Sequence, residues 1–198
     1  MQARTELGQG YEECRRVDLQ KDRRAAFAVN AAAVVVMAAL IAFANFLIRP
    51  LTGFFSADAD GTLFEWLAKP LALIFGLIAY LILHELTHAA AMKLLGAHKV
   101  RFGFTGLYAF AGAEHDYFDK AAYITTALAP LALWGIVFTT AMILAPVDWF
   151  WVLYFLQIAN ISGAIGDVYV SFVTARMPSD VLVRDTGVDM TFYTQRGE

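Results

Sequence analysis

The chain has 198 residues, 59% of them hydrophobic and 17% charged, with a mean hydropathy of +0.55. That balance is too apolar for an ordinary water-soluble domain and fits one compact integral membrane unit. A net charge of −3 with scattered basic residues leaves no footprint for nucleic acid. The single cysteine, Cys14, rules out an intramolecular disulfide framework and a cysteine-based metal site.

Residues 1–24 mix Arg4, Arg15, Arg16, Lys21, Arg23 and Arg24 with several acids and contain no apolar period able to build a core. They read as a polar cytoplasmic tail, helical or loose, and not as a cleavable signal peptide. Residues 25–48 follow without a charge until Arg49-Pro50, enough to cross a ~30 Å hydrocarbon layer at 1.5 Å per residue. Phe54, Phe55, Phe64 and Trp66, among Asp58, Asp60, Gly61 and Glu65, suit an interfacial segment.

A second span is expected over 70–95, opening on Pro70 in its first turn and closing at Gly96 as a cap. Val100, Phe102 and Phe104 then alternate with polar or small residues, and Gly106 and Gly112 punctuate the stretch, so a short hairpin is expected there. Spans 121–144, with a kink at Pro130, and 149–174, with Trp149 and Trp151 as an aromatic belt, complete the set. Val181, Val183, Val188, Met190 and Phe192 alternate around a turn at Asp185-Thr186-Gly187, predicting a second hairpin that pairs with the first. The expected fold is therefore an all-α membrane protein of four transmembrane helices, with a short β-hairpin-like cytoplasmic loop between the second and third. Its parts are the tail 1–24, a membrane domain 25–176 and a C-terminal segment 177–198. All of the 15 basic residues except Arg49 and Lys69 fall on one side of this topology, which puts both termini in the cytoplasm and the protein in the inner or plasma membrane.

Two polar islands interrupt the spans. The first is His84-Glu85-Leu86-Thr87-His88. Positions i and i+4 share one helix face, so both imidazoles can grip one ion while Glu85 projects beside it, the H-E-x-x-H arrangement of zinc peptidases. A catalytic zinc site takes three protein ligands, so one more is needed. Lys93 and Arg176 mark the cytoplasmic helix ends; His84 and Asp167 each lie nine residues inside them, at roughly 14 Å depth. Asp167, in the second island, is the matching carboxylate. Glu85 is then the general base for an attacking water. Asn160 is read as a donor to a developing oxyanion, an orienter of substrate, or an interhelical clamp. Gly163 and Gly166 would let a neighbouring helix or a substrate strand approach. His98, Glu114, His115 and Asp116 of the connecting loop are reserve ligands, otherwise solvated surface.

This H-E-x-x-H on one span, with Asn160 and Asp167 two spans later and an apolar hairpin loop between, resembles the site-2-protease-like membrane metallopeptidases. That group usually carries Asn-x-x-Pro followed by Leu-Asp-Gly, whereas Gly163 stands at the proline position here and Gly166-Asp167-Val168 replaces the last triplet. Over residues 70–192 the chain is closer to a zincin family of small four-span bacterial proteins first described as a domain of unknown function. The resemblance implies a Zn2+-dependent peptidase with a membrane protein or peptide as substrate and the lipid bilayer as its setting. A non-enzymatic metal-binding membrane scaffold or regulator is the rival. A transporter is disfavoured by the single polar cluster and the lack of an inverted repeat.

Overall fold

Asp22 starts the first long helix: its carboxylate accepts the Arg24 and Ala25 amides at 3.0 Å each, satisfying two of the donors a helix start leaves open. The structure, a computed structural model, describes residues 3–54, 62–104 and 109–195. Phe55, Asp58, Asp60 and Gly61 of the expected interfacial segment, and Gly106 of the first hairpin, lie outside them. Helix α1 covers Arg23–Leu47. Helix α2 covers Leu63–Leu94 and carries Pro70 inside it, not in its first turn; a proline removes only its own N–H and bends a helix without always ending it. At the far end of α2 the Gly96 amide bonds to Lys93 O at 3.1 Å and the Ala97 amide to Met92 O at 2.9 Å. With Gly96 at φ 98°, this is the glycine cap expected from the sequence, a Schellman motif.

Helix α3, Lys120–Leu144, is capped by Asp119 through the Ala122 amide at 2.8 Å and contains Pro130. The expected fourth span is broken: α4 covers Phe150–Gly163 and α5 Ile165–Ala175, with Ala164 between them at φ −79°, ψ 6°. Among the described residues, four stretches are long and apolar enough to cross a membrane, 23–47, 66–94, 120–144 and 147–175, the last made of a 3-10 turn followed by α4 and α5. Trp151 is not a belt residue. It is buried, and its indole N–H donates to Pro50 O at 3.0 Å.

The fold is mostly helical, but not all-α. Strands β1 (Ala3–Arg4), β2 (Tyr11–Asp18), β5 (Tyr117–Asp119), β6 (Leu182–Asp185) and β7 (Asp189–Gln195) form a sheet in the order β1-β5-β6-β7-β2, antiparallel throughout. The tail read as helical or loose supplies its edge: Tyr11 to Asp18 pair with Gln195 to Asp189, with an irregularity around Cys14. No periodicity announces β2, because its one buried side chain is Val17; the ladder partner, not an apolar face, makes it a strand. The expected first hairpin is present as β3 (Arg101–Phe104) and β4 (Ala109–Gly112), but as a separate two-stranded sheet. The C-terminal hairpin β6–β7 pairs instead with β5 and β2. Its turn is the one read from the sequence: Gly187 takes φ 83°, and its amide bonds to Asp185 Oδ1 at 2.7 Å.

Sheet and helices share one core of Val17, Met92, Phe118, Tyr123, Val170, Val183 and Phe192. The β6–β7 turn presses on β4 so closely that a Cβ on Gly112 would lie 2.3 Å from the Thr186 carbonyl carbon. Gly112→Ala is therefore expected to lose about 1–3 kcal/mol of stability by overpacking. Gly166→Ala, where nothing lies within 4 Å, should lose none. Unfolding of the two variants side by side in detergent checks the difference.

Candidate functional site

Helix α2 turns one ridge inward. Tyr80, His84, His88 and Met92 recur every fourth residue, and Tyr80, His88 and Met92 are buried, while Ile74, Phe75, Ile78, Leu81 and Ile82 are exposed on the other side. Asp167 reaches the same point from the first turn of α5, where the break at Ala164 leaves a helix N-terminus that favours a carboxylate.

His84 Nε2 and His88 Nε2 stand 3.2 Å apart. Asp167 Oδ2 is 3.4 Å from the first and Oδ1 3.5 Å from the second. The depth match inferred from helix rise thus corresponds to actual proximity. Among the described residues this is the group of three such side chains close enough to share an ion.

The hydrogen bonds of the donor set bear on whether it can hold a metal. His88 Nδ1 lies 3.0 Å from the Thr126 carbonyl, which can only accept, so Nδ1 carries the proton. Tyr80 donates its hydroxyl proton to Asn160 Oδ1 at 3.1 Å, so the Tyr80 oxygen accepts from His84 Nδ1 at 2.9 Å. In the neutral rings both Nε2 atoms are then lone pairs, pointed at each other and at a carboxylate. Such an arrangement is repulsive unless a cation sits among them. Ligand atoms bonded at ~2.1 Å in a tetrahedral site lie ~3.4 Å apart, the spacing observed, so the residues fit zinc.

Glu85 is half-buried, with the Ala111 backbone N–H of β4 on its carboxyl. Both residues line a cavity of about 1000 Å³ together with His84, His88 and Asp167. Gly163 and Gly166 also line it, and nothing lies within 4 Å of a Cβ built on either. They hold space open in the cavity and admit no neighbouring helix. Asn160 is fully buried, its side-chain amide donating to Leu131 O at 3.2 Å; it meets Tyr80, not the cavity floor. The reserve ligands are engaged among themselves. Buried Asp116 accepts the His98 amide at 3.0 Å and faces His98 Nδ1 at 2.9 Å, and Glu114 pairs with Arg101 and His115. Sequence reasoning missed Tyr80, although its position one turn before His84 on the same face was a usable signal. It also missed Thr126 and Ala111, which act through backbone atoms and leave no residue-type signature.

Asp185, at the end of β6, is buried and lines the same cavity. Burial raises its carboxyl to about 6, against the Gly187 amide, which lowers it. The folded protein therefore holds this proton more tightly than the unfolded chain does. The resulting stability is complete below the ordinary value near 4 and is lost as pH rises through 6.

Within this mostly helical fold, His84, His88 and Asp167 form a cluster whose donor atoms and spacing could hold a metal ion. The sequence profile of a family described as "Putative zincin peptidase" matches residues 77–182, just over half of the chain, and the protein belongs to that family. The family points to a zinc-dependent metallopeptidase. The chain is also 34% identical over 125 residues to an uncharacterized 24.7 kDa protein in the gap 5′ region of Pyrococcus woesei, a match covering 60% of this chain and 53% of that protein. It thus spans about half the length of this curated relative. No solved structure matches.

Metal analysis of purified protein should find about one zinc per chain, lost in His84→Ala and in Asp167→Ala; unchanged zinc in both variants removes the ligand assignment. In chelator, wild-type stability should fall relative to Asp185→Asn between pH 4 and 7, by on the order of 3 kcal/mol at most, as read by unfolding across a pH series.

Proposed function

We propose that the protein is a zinc-dependent, membrane-embedded peptidase of site-2-protease-like type, hydrolysing peptide bonds of a membrane or membrane-associated protein near the cytoplasmic leaflet. The observation that carries this reading is the convergence of His84 Nε2, His88 Nε2 and Asp167 at metal-ligand spacing, with Glu85 beside them on the same cavity. Zinc held by those three residues would supply a Lewis acid that acidifies water and polarises a carbonyl.

Glu85 takes the proton of the attacking water and delivers it to the leaving amide nitrogen. Its place one residue after His84 turns it off the ligand ridge and toward β4. The substrate must be extended at the scissile bond, because a helix keeps its amides bonded within itself. Of the two hairpin strands, Ala109, Phe110 and Ala111 of β4 line the cavity, so β4 supplies the backbone edge for an extended segment. Gly163 and Gly166 leave room for that segment against the ligand helix.

Membrane embedding is supported by the outward faces of the helices. Val34, Val35, Phe43, Phe46, Phe75, Leu81 and Ile136 are among many large apolar side chains exposed along them, an area that a water-soluble monomer rarely shows. The sheet joins the N-terminal strands, the connection after α2 and the C-terminal strands at one end of the bundle. Nearly all basic residues lie on these segments, which supports a cytoplasmic assignment for that end.

Glu85→Gln should keep its zinc and lose at least 100-fold in turnover, as expected for loss of a general base. Membrane proteomes from cells carrying wild-type or Glu85→Gln protein identify the substrate by its accumulation. A purified Glu85→Gln protein that still cleaves that substrate at the wild-type rate removes the mechanism. Zinc retained with no product from either protein leaves a metal-bearing scaffold in its place.

A further inference from the structure

Two hydrogen-bond paths run outward from the paired histidines, and both end on carbonyls of α3 that flank one residue. His88 Nδ1 meets Thr126 O. His84 Nδ1 meets the Tyr80 hydroxyl, which donates to Asn160 Oδ1, and the Asn160 amide donates to Leu131 O. Between Thr126 and Leu131 stands Pro130, buried inside the helix.

In an α-helix the carbonyl of residue i−4 accepts the N–H of residue i. The residue four after Thr126 is Pro130, which has no N–H. Thr126 O is therefore the one carbonyl of this turn without a helical donor, and a bare carbonyl in an apolar bundle is costly. The His88 ring supplies the missing proton. The proline in mid-helix thereby leaves a carbonyl free of helical competition, and as an acceptor it holds His88 in the Nδ1–H form.

The second path works differently. A tyrosine hydroxyl alone does not choose a tautomer, because it can donate or accept. Asn160 removes the choice. Its amide group faces Leu131 O, which fixes its oxygen toward Tyr80; the Tyr80 proton is spent there, and only a lone pair is left for His84 Nδ1–H. Tyr80 is further held edge-on to His84, Trp134 and Phe138.

We infer that Pro130 and the Tyr80–Asn160 pair are positioning residues: through Thr126 O and Leu131 O they lock His88 and His84 in the Nδ1–H tautomer and aim both Nε2 lone pairs at one point. Their purpose rests on the metal reading above, while their geometry does not. Outer hydrogen bonds of this kind commonly govern metal affinity by 10–100-fold. Asn160 accordingly acts through Tyr80 on a ligand and touches no substrate.

Long-range proton–nitrogen NMR correlations on 15N-histidine-labelled full-length protein in detergent, zinc-free and at a pH where the rings are neutral, read the tautomer of each of the four histidines. Wild-type His84 and His88 are expected as Nδ1–H. Tyr80→Phe should move His84 toward Nε2–H and leave His88 unchanged. Pro130→Ala gives Thr126 O a second, helical donor that competes with the His88 ring, and should increase the Nε2–H population of His88 while leaving His84 unchanged. Each variant should weaken zinc about 10–100-fold in competition with a chelator. Rings that stay Nδ1–H in both variants, or that shift together in both, overturn the proposal. If the tautomers respond as expected but the wild type binds no zinc, the relays stand and the zinc-peptidase reading falls.

Discussion

Two imidazole lone pairs and a carboxylate within a few ångströms of an apolar bundle repel one another unless a metal ion or a proton lies among them. That constraint governs the protein. In water, such groups would be solvated and could drift apart. Inside the bundle they are held by Tyr80 and Asn160 on one side and by a carbonyl of α3 on the other, so their mutual repulsion is stored until a cation relieves it. Helix α3 packs against α2, α4 and α5, and is therefore the element able to align the histidines of one helix with the carboxylate of another.

The sheet performs a second kind of alignment, at one end of the helices. The Ala3 amide bonds to Leu95 O at 2.7 Å, the Lys120 ammonium to Met177 O at 2.6 Å and the Ala113 amide to Asp185 O at 2.8 Å. The first ties the end of α2 to β1, the second the start of α3 to the segment that follows α5, and the third the residue after β4 to β6. The close approach of Gly112 to Thr186 brings the β6–β7 turn against β4, and these two pieces form the cavity wall opposite the ligand helices. A segment that looks like a polar tail in the sequence thus belongs to the framework that shapes the site.

The break between α4 and α5 shows how a local weakness is used. A continuous fourth helix would hold Asp167 in mid-span, with its backbone groups bonded on both sides. Ending α4 at Gly163 and restarting at Ile165 places Asp167 in a first turn, where open amides favour its charge. The same break leaves Gly163 and Gly166 beside free space. Helix propensity is lost at these glycines, and what is gained is room next to the cluster.

Legible in the amino-acid order alone were the long apolar segments, the H-E-x-x-H pair, the nearness of Asp167 to it and the Gly96 and Gly187 turns. These follow from composition, helical spacing and backbone sterics, all of which act over a few neighbouring residues. The tertiary structure decided the rest. Residues 11–18 became a strand because β7 offered a ladder, and no side-chain pattern encodes a partner at the far end of the chain. Tyr80, Asn160 and Pro130 acquired their roles from hydrogen bonds between helices, which depend on rotation and depth. Thr126 and Ala111 act through backbone atoms that every residue possesses, so no reading of residue types could have singled them out.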